Sequence, residues 1–149
     1  MARSSNRSFR TPVQVAAAVV GAVFLLVGVL GFVPGITAGQ ESMRFAGPHS
    51  GALLMGLFQV SVLHNIVHLL FGAAGVLAAR SWRGSQIYLV AGGVLYLMVW
   101  LYGMLIDRTS SVNFVPVNAA DNWLHLFLGL GMIALGYVLA ARRPKESRH

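Results

Sequence analysis

The chain of 149 residues contains no cysteine and only four acidic residues. Without cysteine there is no disulfide framework, no thiolate metal site and no thiol nucleophile. Charged residues make up 10% of the sequence, against about 25% in an ordinary soluble domain. So few charges cannot keep a globular surface wet. Also missing are a phosphate-cradling glycine loop, a Ser/His/Asp set with a plausible base, and a close pair of carboxylates. These absences lean against an enzyme. What is present is apolar: 56% of residues are hydrophobic and the mean hydropathy is +0.70. Runs of about 20 apolar residues point to a bilayer as solvent.

Four runs are predicted to span it as helices, over about 13–33, 53–79, 87–106 and 122–141. They form one membrane domain over 13–141, between a basic N-terminal tail at 1–12 and a basic C-terminal tail at 142–149. A first run of this length exceeds the apolar core of a signal peptide and reads as a retained span. Residues 80–85 are predicted as a tight turn, and 34–52 and 107–121 as longer loops. The net charge of +7 is read from where the charges fall. Nine of the eleven basic residues lie at 3, 7, 10, 80, 83, 142, 143, 145 and 148, on one side of an even number of spans. That bias predicts both termini in the cytoplasm and a plasma-membrane location. It leaves room for anionic lipid at that face and gives no reason to expect nucleic acid.

The second and fourth runs repeat each other. Val60-Ser-Val-Leu-His-Asn-Ile-Val-His-Leu-Leu-Phe-Gly72 lies over Val117-Asn-Ala-Ala-Asp-Asn-Trp-Leu-His-Leu-Phe-Leu-Gly129 at a constant offset of 57, with five of 13 positions identical. Chief among them is a shared Asn-x-x-His, Asn65/His68 and Asn122/His125. The expected fold is therefore all-α, an integral membrane four-helix bundle made from a duplicated two-helix hairpin. The stretch from Leu57 to Gly72, with Asp121-Asn-Trp-Leu-His125 later, resembles domain of unknown function 4383, a family of small four-span bacterial membrane proteins common in actinobacteria. The resemblance covers roughly 13–141. Its most specific part is His-Asn-x-x-His-Leu-x-x-Gly, from His64 to Gly72. Where the family often has Asn, this chain has Ser61 in the first copy and Asn118 in the second. The resemblance implies fold and location only.

Ionisable groups inside hydrocarbon are costly and attract functional interest. His64 and His68 share a helical face, as do Asp121 and His125, with Asn65 and Asn122 three residues before the repeated histidines. His64, His68, His125 and Asp121 are candidate metal ligands. His64 and His125 would also be level enough to flank a haem, and the histidines could serve a quinone or a proton path. The plainer expectation is that the Asn/His cluster hydrogen-bonds between helices two and four and locks them. Asp121 then caps the start of the fourth helix. On that reading the protein is a non-catalytic accessory or structural membrane module without a cofactor, with a second copy or another membrane protein as a candidate partner. The alternative is a cofactor-binding or redox protein using His64, His68 and His125. Tyr88, Tyr96, Trp100 and Tyr102 are read mainly as packing and interface aromatics.

Overall fold

A computed structural model describes residues 11–142, so the basic tails at 1–10 and 143–149, with most of the charges that set the predicted orientation, lie outside the described residues. The fold is all-α apart from one small sheet. Four helices run in order: α1 Pro12–Leu30, α2 Val62–Ala78, α3 Trp82–Leu105 and α4 Ala119–Val138, the last followed by a short 3-10 turn. α1 packs along α2, and α3 along α4, while α1 and α3 meet at the centre.

Local chemistry fixes the helix starts. Pro12 occupies the first turn of α1, where its missing N–H costs nothing, and Thr11 forms a capping box with Gln14. Gln14 also donates from Nε2 to the Ala79 carbonyl at 3.1 Å, tying the start of α1 to the end of α2. Ser81 accepts from the Gly84 N–H at 3.0 Å, so α3 begins at Trp82. The predicted turn over 80–85 therefore contracts to the residues around Arg80, and the first turn of α3 takes up the remainder.

The second predicted span is corrected. It does not run from 53 to 79: α2 begins only at Val62, with Ser61 accepting from the His64 N–H at 3.1 Å. The apolar residues before it form strands. β1 Thr37–Ala38, β2 Leu53–Leu54 and β3 Phe58–Gln59 make an antiparallel sheet in that order. Met55 and Gly56 both take left-handed φ values, 53° and 71°, which reverse the chain and are incompatible with a helix. An apolar run has the same hydropathy in either form, so composition merges the hairpin with the helix. The sheet lies over a small core of Ala52, Leu54 and Val60 against Val27 and Leu30. Thr37 closes it by donating to the Leu30 carbonyl at 2.9 Å.

The larger core lies along the bundle and includes Val13, Ala17, Phe24, Leu89, Tyr96 and Met132. Glycines bring the helix backbones together. A methyl group on Gly21 would stand 2.8 Å from the Gly72 carbonyl oxygen, and one on Gly93 would stand 2.7 Å from the Gly129 oxygen. Outward faces stay apolar, with Val19, Leu26, Leu70, Leu101 and Phe127 exposed. Three helices (α1, α3, and α4 with its terminal turn) are long and apolar enough to cross a membrane, while α2 is the shorter apolar helix of 17 residues.

Candidate functional site

The polar cluster gathers where the sheet meets the bundle. Its members have different partners, which follow from their places in the helices. Asp121 is the third residue of α4. Its N–H donates to Asn118 Oδ1 at 2.9 Å, and its Oδ2 accepts the Asn118 N–H at 2.9 Å. The same Oδ2 accepts the Gln59 N–H at 3.0 Å. One carboxylate thus completes a capping box and joins β3 to α4. Asn118 adds a second tie, donating from Nδ2 to the Leu57 carbonyl at 2.7 Å.

His64 is buried and oriented from its own connection. Its Nδ1 lies 3.1 Å from the Gln59 carbonyl oxygen. A carbonyl can only accept, so Nδ1 carries the proton. The Pro116 carbonyl also lies against this ring. His68 follows one turn deeper, with ring centroids 4.5 Å apart, and His125 reaches in from α4 with its centroid 6.4 Å from that of His64. Phe24 packs 5.7 Å from His68 and Tyr96 packs 5.3 Å from His125, while Phe24 and Tyr96 stack on each other at 5.4 Å. The buried Nδ1 atoms of His68 and His125 have no hydrogen-bond partner among the described residues. Nor, among the described residues, do three His, Asp or Glu side chains converge as a group able to hold a metal ion.

The two asparagines point elsewhere than across the bundle. Asn65 is fully buried with its amide against Gly31 at the end of α1, and Asn122 is buried with its amide against Gly103 of α3. Each fills the space a glycine leaves on the neighbouring helix of its own hairpin. A hydrogen bond between the Asn residues of α2 and α4 is therefore replaced by two separate glycine seats. Both polar atoms of Asn65 and the Oδ1 of Asn122 are buried without a partner among the described residues.

Two apolar cavities flank the histidines. The first, about 430 Å³, lies between α2 and α3, with Val67, His68, Phe71, Leu95, Tyr96 and Val99 in its walls. The second, about 380 Å³, lies between α4 and α1, with Leu124, His125, Leu128, Val23, Phe24 and Val27. Advancing the α2 members by 57 positions and moving the α3 members back by 72 converts the first six residues into the second six. His64, His68 and His125 border both cavities.

Sequence reasoning missed Gln59, Gly31, Gly103 and the role of Phe24. An offset of 72 between the first and third helices relates Gly21 to Gly93, Phe24 to Tyr96, and Gly31 to Gly103. It was the signal that could have found three of them. Of the span-three aromatics, Tyr96 and Tyr102 border the first cavity, while Tyr88 seats on Gly75. Asp107 lies apart from the cluster in an exposed turn. The Thr109 hydroxyl and N–H donate to its Oδ1 at 2.7 and 2.9 Å and hold its carboxyl below the usual range.

Helices of this length and apolarity, with apolar side chains turned outward, define an α-helical membrane protein. The family domain of unknown function (DUF4383) matches residues 14–138, and the chain belongs to it. No curated protein and no solved structure matches the chain.

Proposed function

We propose that this chain is a four-span protein of the plasma membrane, built from a duplicated hairpin, that serves as a non-catalytic accessory or structural module. The polar cluster carries this reading. Asp121 and Asn118 tie the connection ahead of α2 to the start of α4, and Asn65 and Asn122 fill glycine seats. These groups hold helices and their connections in place, so the lock between the second and fourth spans runs through Gln59 and Leu57. The paired offsets of 57 and 72 support duplication, since they relate both the glycine contacts and the cavity walls. The basic residues at 80 and 83, together with those of the two tails, support cytoplasmic termini and contact with anionic lipid at that face. A partner would be a second copy or another membrane protein, meeting the apolar outer faces.

Topology is tested by reporters fused after Arg148 and within the connection near Gly47. A cytoplasm-only reporter is active at the first site and silent at the second. The opposite pattern overturns the orientation, and activity at both sites overturns the four-span count.

A second reading, a cofactor-binding or redox protein using a metal, haem or quinone, rests on a different observation. His68 and His125 line the cavities and have no side-chain hydrogen bond, their Nδ1 atoms being buried without a partner among the described residues, while Asp121 and His64 are engaged by backbone groups. Ligand binding through the histidines is compatible with a module that performs no chemistry itself.

A further inference from the structure

We propose that the two cavities are a pair of equivalent binding sites for membrane-soluble quinones, each holding one flat carbonyl-bearing ring against His68 or His125. This rests on the reading that the bundle spans a bilayer, because the cavities then face lipid. Their mouths carry apolar side chains exposed on the bundle surface, Leu95 and Met98 at the first, Val19 and Val23 at the second. A ligand dissolved in the bilayer enters sideways and leaves its tail among the lipids.

The walls define the chemistry of the head. At about 430 and 380 Å³, both cavities fall within the roughly 300–1,000 Å³ of small-molecule sites. Neither has a Lys or Arg among its described lining residues, so a carboxylate or phosphate would enter without a counter-charge. A plain acyl chain would fill the space and leave the imidazole nitrogens unpaired, which is costly in an apolar setting. A neutral imidazole offers one N–H donor and one acceptor nitrogen. It can donate to a quinone carbonyl and accept from the hydroxyl of the reduced form. Phe71 and Tyr96 in the first cavity, and Phe24 in the second, supply aromatic faces for a planar ring. His125 is only 5% exposed, and its Nδ1 has no partner.

The ring is held differently from a metal or a haem. Those need lone pairs converging on one point, and among the described residues no three His, Asp or Glu side chains converge as a group able to hold a metal ion. His64, held by the Gln59 carbonyl, is a fixed part of the border that the two cavities share with His68 and His125. Six wall residues of one cavity correspond in position to six of the other, while Asp121 lines the second where His64 stands in the first.

The test uses the full chain in nanodiscs of phosphatidylethanolamine and phosphatidylglycerol, titrated with decyl-benzoquinone. Bound molecules are counted by native mass spectrometry after release into detergent. Two equivalents are expected. Val99→Phe, which fills the first cavity, and Val27→Phe, which fills the second, each remove one while leaving every histidine in place. The double variant His68→Leu/His125→Leu weakens binding at least tenfold, and decylbenzene, which lacks carbonyls, fails to compete. Equal competition by decylbenzene, full binding by the histidine variant, or no binding to the folded wild type overturns the proposal. None of these results alters the reporter pattern that tests the topology, so the two readings fail separately.

Discussion

The α1–α2 and α3–α4 hairpins use the same backbone contacts with different polar groups. Gly21 meets Gly72 as Gly93 meets Gly129, and Asn65 seats on Gly31 as Asn122 seats on Gly103. At the sheet end they diverge. Where the second hairpin has Asn118 and Asp121, the first has Ser61 and His64. The carboxylate accepts from Gln59 in the other hairpin's connection, whereas the imidazole bonds to Gln59 within its own connection. Both converge on one residue from opposite sides. Close helix packing tolerates little change in shape, so the glycine seats match. The end groups face open backbone donors and acceptors, so one hairpin can reach across to the other. The shared glycines set how each pair packs, and the divergent end groups join the pairs.

The largest expected effect tests the shared part. Gly21→Val and Gly93→Val each force a side chain against the backbone of the adjacent helix, and each should cost about 3 kcal/mol or more. Matching losses in detergent unfolding measurements would show that both hairpins rely equally on the contact. A loss confined to one hairpin would break the equivalence.

A smaller change tests the divergent part. Asp121→Ala leaves the N–H groups of Gln59 and Asn118 without their acceptor and should cost about 1–3 kcal/mol. Asp121→Asn keeps an acceptor oxygen and should recover more than half of that loss in the same measurement. No difference between the two variants would remove the carboxylate from the join.

The smallest effect distinguishes filling space from hydrogen bonding. Asn65→Leu and Asn122→Leu keep similar volume and remove buried polar atoms that lack partners. Each should shift stability by less than about 1 kcal/mol, in either direction. A loss well beyond that for either one would mean its amide is bonded in the folded state.

Parts of this arrangement were legible from residues alone. The Asn-x-x-His repeat marked the histidines that border the cavities, and Asp121 three places after Asn118 carried the spacing of a capping box. The start of α2 was not legible. Leu53, Leu54 and Phe58 are as apolar as any helix, and only the backbone angles at Met55 and Gly56 separate hairpin from span. The partner of Asn65 was not legible either, because helical spacing gives the face a side chain occupies and not the neighbour it meets. The same limit hid Gln59, an unremarkable residue between apolar ones whose backbone serves two side chains at once.

The shortness of α2 has a consequence for the lipid around it. Seventeen residues rise about 25 Å, several ångströms less than the roughly 30 Å hydrocarbon thickness, while α3 has 24 residues and exceeds it. The apolar height of the bundle is therefore uneven, lower along α2 than along its neighbour α3. In a bilayer, an apolar helix shorter than the hydrocarbon thickness is accommodated by local thinning, at a modest cost per ångström of mismatch.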